Sequence, residues 1–125
     1  MDLRLTVAII TGKIIALLTK VKGGGATAAP GLYALKIDPN LVGKLSKKLA
    51  YGNIVISGTN GKTTTSRLIA DILSSKYKII HNRQGSNLLR GIASTLIEKT
   101  SITGHISENL GIWEVDEANV PAVVE

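Results

Sequence analysis

The chain contains no cysteine and no phenylalanine, and only three prolines and one tryptophan in 125 residues. Without thiols it can form neither a disulfide nor a thiolate zinc site, and nothing points to an oxidising compartment. Aromatic residues make up 3% of the chain, so a core drawn from its 44% hydrophobic content must be aliphatic. Long apolar runs are missing too. The longest charge-free run in the N-terminal stretch is the eight residues from Leu5 to Gly12, far short of the roughly 18–20 that span a bilayer. Asp2 stands where a secretory signal would be positive, and no clear small-residue cleavage site follows the apolar stretch. There is no Asn-Lys-x-Asp motif of the kind that reads guanine, and no aromatic-interleaved basic patch, so nucleic acid is not an expected partner.

The charge that is present is unevenly placed. Residues 1–50 carry eight Lys/Arg against Asp2 and Asp38, whereas residues 51–125 carry seven of each sign, so the net charge of +6 belongs to the first fifty residues. An acidic partner or an anionic membrane surface suits that segment equally well. Leu3 to Val21 reads as an apolar helix interrupted by Arg4, Lys13 and Lys20. It packs on the domain body, or lies on a membrane with its lysines toward the headgroups. The run from Lys22 to Gly31 reads as a flexible loop or hinge, and Leu32 to Ile37 as a short extended segment. Asp38-Pro39 reads as N-cap and first residue of a helix whose Leu41, Leu45 and Leu49 form one buried stripe. Lys44, Lys47 and Lys48 fall on its solvated side.

The most informative stretch follows. Ile54-Val55-Ile56 is a β-branched run, Ser57-Gly58-Thr59-Asn60-Gly61-Lys62-Thr63-Thr64-Thr65 a glycine-rich turn, and Ser66 to Leu73 a helical pattern. Strand, loop and helix in this order make a phosphate-binding loop. A polyphosphate is a dense anion, and a helix start offers free N–H groups and the positive end of a dipole. Gly58 and Gly61 allow positive φ, so that successive amides turn inward as a nest. Lys62 supplies charge for the outer phosphates, Thr63 a hydroxyl for Mg²⁺, and Thr64 a second hydroxyl beside it. The strict G-x-x-x-x-G-K-[ST] pattern is not met, because its first glycine falls at Ile56. The plainer alternative is a glycine turn with an incidental lysine.

Tyr77 to His81 reads as a second strand, so the helix between it and the first strand makes a parallel crossover unit. The loop Asn82-Arg83-Gln84-Gly85-Ser86-Asn87 then falls at the C-terminal end of a parallel strand, where α/β sheets bind ligands. Asn87 offers an amide to a phosphate or caps the next helix, Leu88 to Lys99, and Arg90 lies on that helix's surface. His81 reads as a satisfied strand-end residue. A polar linker, Thr100 to Asn109, leads to a third strand, Gly111 to Glu117, with an acidic end. Glu114 and Asp116 alternate onto one side of that strand, and a carboxylate there is the partner a phosphate loop needs for Mg²⁺. The fold class expected is α/β, a P-loop-like parallel sheet flanked by helices. The expected division is an N-terminal helical segment, 1–50, and part of a nucleotide-binding domain, 51–125.

Gly58-Thr59-Asn60-Gly61-Lys62-Thr63-Thr64 resembles the ATP loop of the Mur ligases and folylpolyglutamate synthases, where Ile at the first position is the usual form. Within that family, His81 to Asn87, Gly91-Ile92-Ala93-Ser94 and Glu114-Val115-Asp116-Glu117-Ala118 are similar to the Mur-ligase-like subunits of lipid II isoglutaminyl synthases. The resemblance implies that ATP and Mg²⁺ activate the α-carboxyl of D-glutamate in the lipid II stem peptide as an acyl phosphate. Ammonia from a GatD-like glutaminase partner then amidates it. By resemblance, Lys62 is the catalytic lysine, Gly58 to Thr64 and Asn87 hold nucleotide, and Thr63 and Glu114 hold Mg²⁺. Such proteins act in the cytoplasm, at the inner face of the membrane. They are several times longer than this chain and carry a four-cysteine zinc ribbon that has no counterpart here. The chain is therefore expected to be an N-terminal portion that does not catalyse amidation on its own. The alternatives are another Mur-type or folylpolyglutamate-type acceptor, or a non-catalytic binding module.

Overall fold

A computed structural model of the chain describes residues 2–23, 28–82 and 89–121. Asp2 opens the first helix, α1 (Leu3–Val21), by accepting the Leu5 N–H on its carboxylate at 3.2 Å, which satisfies one of the donors a helix start leaves over. Leu5, Ala8, Ile9 and Gly12 form its buried face. Leu3, Val7, Ile10, Ile14, Leu17 and Val21, spaced alternately by four and three, form an exposed apolar face on the other side. The helix packs on the domain body, as one of the two expected roles required, and still presents an apolar stripe outward.

Four expectations for the first fifty residues are corrected. Leu32 to Ile37 is not extended but part of a helix, α2 (Ala29–Ile37), with Pro30 in its first turn, where a missing N–H costs nothing. Gly31 is therefore no hinge. A Cβ there would overlap the Arg90 carbonyl and crowd Ser94, whose Oγ accepts the Gly31 N–H at 2.8 Å. Asp38 does not cap the third helix, α3 (Leu41–Ser46), whose N-cap is Asn40. It ends α2 and accepts the Asn40 N–H at 3.0 Å, a local turn that aspartate makes readily. Lys44 is not simply solvated: it bridges Asp38, at 2.6 Å, and Asp2. Lys48 donates to the Gly104 carbonyl at 2.7 Å. Leu41 and Leu45 are buried as expected, and Leu49 is buried just beyond the helix end.

The remaining elements are β1 (Asn53–Ile56), α4 (Lys62–Leu73), β2 (Ile79–His81), α5 (Leu89–Lys99), β3 (Leu110–Glu114) and a 3₁₀ turn at Glu117–Asn119. The expected third strand therefore stops at Glu114. The expected linker from Thr100 contains an antiparallel bridge to the buried Ile106. The sheet is parallel, in the order β1-β3-β2, with Ile56 beside Glu114 and His81 beside Ile112. The mixed α/β class with a small parallel sheet flanked by helices is as expected. α4 packs against all three strands, while α5 packs against β2, α2 and α3. One aliphatic cluster joins Leu5, Ile9, Leu41 and Leu45 to Ile80, Ile92, Leu96 and Ile97. Each such side chain contributes about 1.5–3 kcal/mol on burial, which outweighs the roughly 1 kcal/mol that Gly91 costs α5.

Candidate functional site

β1 delivers the chain to the loop and β3 delivers Glu114 beside it, because Ile56 and Glu114 are register partners. Gly61 is the N-cap of α4 at φ 81°, a left-handed conformation that glycine adopts without strain. The first backbone bond after it runs from the Thr65 N–H to the Gly61 carbonyl at 2.9 Å. The amides of Lys62, Thr63 and Thr64 are the donors that a helix start leaves for an anion. Gly58 also has positive φ, at 151°. Thr59, Asn60 and Thr64 are exposed along the loop.

Three side-chain pairs tie this loop to the end of β3. Thr63 Oγ1 donates to Glu114 Oε1 at 2.7 Å. The Lys62 ammonium donates to the Gly58 carbonyl at 2.7 Å and lies 3.3 Å from Asp116. Thr59 Oγ1 donates to Glu117 Oε1 at 3.1 Å. Glu114 is buried and Asp116 about half exposed. The sequence expectation put Glu114 and Asp116 on one side of a strand, but the strand ends between them; each instead meets its own neighbour in the loop, Thr63 and Lys62. The structure brings together Gly58, Thr59, Gly61, Lys62, Thr63 and Glu114. Asn87 and Arg83 lie outside the described residues. Arg90 is exposed, as expected.

A carboxylate and a hydroxyl at this separation suit Mg²⁺, which takes one or two protein oxygens and completes its shell with water and phosphate. No group of three or more His, Cys, Asp or Glu among the described residues could hold a metal without such help. A triphosphate brought to this loop would meet three carboxylates as well as the amides and Lys62. A divalent cation between them removes that conflict.

Sequence reasoning placed Asn82 in the ligand-facing loop without a role of its own; it is buried just beyond the end of β2. Its Nδ2 donates to the Glu114 carbonyl and its Oδ1 accepts the Glu114 N–H, both at 2.8 Å. Beyond its place in that loop, the signal for a role of its own was a polar residue directly after an apolar strand. The Glu117 contact to Thr59 was also missed, although Glu117 lies within the acidic run already singled out.

The parallel sheet, with a glycine loop opening into a helix and an acidic strand end beside it, defines an α/β domain. Residues 56–117 match the Mur ligase middle domain, and the chain belongs to the Mur ligase family. It is 35% identical over 127 aligned positions to the lipid II isoglutaminyl synthase (glutamine-hydrolyzing) subunit MurT of Streptococcus pneumoniae (strain ATCC BAA-255 / R6), covering 100% of this chain and 27% of that protein. It is 35% identical over 119 positions to the same-named subunit of Staphylococcus aureus (strain COL), covering 94% of this chain and 26% of that protein. The chain thus spans about a quarter of the length of the curated relatives it matches.

Proposed function

We propose that the chain is the nucleotide-binding portion of a ligase subunit that amidates lipid II, using ATP to activate the D-glutamate α-carboxyl as an acyl phosphate. The observation that carries this reading is the 2.7 Å contact between Thr63 and Glu114 at the mouth of the glycine loop. It joins the two side chains expected to share a cation. The likeness to MurT subunits over the whole chain supports the choice of acceptor. A bound Mg²⁺ supplies the positive charge that phosphoryl transfer to a carboxylate requires. The chain's own residues bind and orient the nucleotide. The amides of Lys62 to Thr64 face its phosphates, Lys62 leaves Gly58 and Asp116 to reach the outer ones, and Thr63 and Glu114 hold the cation. By the family resemblance, Asn87 is assigned to the nucleotide as well. Ammonia comes from a GatD-like glutaminase subunit. Zinc, where the complete subunit carries it, is held by cysteines that this chain does not contain.

The test uses the intact protein with glutamine, a glutaminase subunit, lipid II and ATP. Mass spectrometry follows isoglutamine formation, and the product should disappear in Lys62→Ala and Glu114→Gln. Incorporation of an amino acid instead of ammonia would move the assignment to another Mur-type ligase. ATP binding unchanged by Lys62→Ala would point to a non-catalytic module.

The exposed apolar stripe of α1, flanked by Arg4, Lys13, Lys20 and Lys22 with no acidic residue from Leu3 to Gly23, supports peripheral contact with an anionic membrane. The proposed site of action is accordingly the cytoplasmic face of that membrane, where lipid II is met. No helix among the described residues is long and apolar enough to cross a membrane.

A further inference from the structure

We infer that Asn82 is a positioning residue for the cation site, setting the backbone of Glu114 so that its carboxylate reaches Thr63. This rests on the reading of Glu114 as a metal ligand. β2 ends at His81, opposite Ile112, so Glu114 lies beyond the last paired residue of that strand. The Asn82 side chain takes over the ladder there. Its amide clamps both backbone groups of residue 114, at 2.8 Å each, and is itself only 4% exposed. On the opposite side the Val115 N–H donates to the Ile56 carbonyl at 2.9 Å. The end of β3 is therefore held from both neighbouring strands at the point where its carboxylate turns toward the loop.

The chemistry selects this residue type. Holding an N–H and a C=O of one residue together needs a donor and an acceptor a fixed distance apart, which a short primary amide provides. Aspartate keeps the acceptor but sets a second oxygen against the Glu114 carbonyl. Alanine leaves two buried backbone groups unpaired. Partners one step removed from a metal orient its ligands, and their loss typically lowers metal affinity about 10–100-fold.

The experiment titrates Mn²⁺, as a probe for Mg²⁺, into the intact protein with a non-hydrolysable ATP analogue, reading free Mn²⁺ by electron paramagnetic resonance. Wild type, Asn82→Ala, Asn82→Asp and Glu114→Gln are compared, with thermal unfolding recorded without metal. Asn82→Ala and Asn82→Asp should each weaken Mn²⁺ binding about tenfold or more in protein that is folded at the assay temperature. A purely structural Asn82 would lower the unfolding temperature and leave Mn²⁺ affinity as in wild type. If that occurs while Glu114→Gln is weakened, the role of Asn82 is overturned. If Glu114→Gln also binds as wild type, the reading of Glu114 as a ligand fails first. A second measurement needs no variant. The side-chain NH₂ resonances of Asn82 should shift on adding Mg²⁺ with nucleotide and not with nucleotide alone, and their failure to move overturns the inference even if both Asn82 variants fail to fold.

Discussion

Lys62 stands between two demands. At rest its ammonium is shared by the Gly58 carbonyl and Asp116, and nucleotide binding requires it elsewhere. Lys62→Ala should weaken ATP binding by about 1.5–3 kcal/mol, roughly ten- to a hundredfold, by isothermal titration calorimetry. Asp116→Ala should not weaken it. Removing the competitor leaves ATP affinity equal or higher, and a loss comparable to that of Lys62→Ala would show that Asp116 serves the nucleotide directly. A second residue-scale prediction concerns pH. Hydrogen bonding to Lys44 holds the Asp2 carboxyl below its ordinary 3.8, and hydrogen bonds to Asp2 and then Asp38 hold the Lys44 ammonium above 10.5. The lowered Asp2 contributes stability that is present above 3.8 and lost as pH falls through its folded value. The raised Lys44 contributes stability that is present below 10.5 and lost as pH rises through its folded value. Urea midpoints should therefore fall at both ends of the pH range, and Asp2→Asn should flatten the acid limb. At this scale the glycine turn between β1 and α4 was legible because positive φ depends on residue type in unbroken sequence. Asn82 was not, because its partner is 32 positions away.

Among the elements, α2 is the clearest case of a local signal overridden. Pro30-Gly31 after a run of glycines reads as a hinge, and only the approach of α5 shows why glycine is there. Gly31→Ala should cost more than about 2 kcal/mol, since backbone atoms of α5 must move. Gly12→Ala also meets neighbours, but the nearest atom is the end of the Ile97 side chain, Cδ1, at 2.7 Å and the backbone carbonyl of Pro30 is 3.4 Å away, so its cost should be smaller. Thermal unfolding of the two variants checks the order, and a Gly31→Ala protein as stable as wild type would refute the packing account. The strands and the long helices were readable from apolar periodicity. The strand order was not, since nothing in β1 or β2 announces that β3 comes between them.

For the whole molecule, the uneven charge and the outward stripe of α1 belong together. Vesicles containing anionic phosphatidylglycerol should co-sediment the protein, and neutral phosphatidylcholine vesicles should do so much less. Ile14→Gln with Leu17→Gln should abolish most of the difference while sparing the buried face of α1. Equal recovery with both vesicle types, or no effect of the double substitution, would remove the membrane from the picture. A different whole-molecule consequence follows from the order β1-β3-β2. Every strand pairing waits for residues 110–114, more than fifty positions after β1. A nascent polypeptide that has not yet released β3 from the ribosome has its glycine loop but neither strand pairing to seat it on. Closing so distant a pairing slows folding.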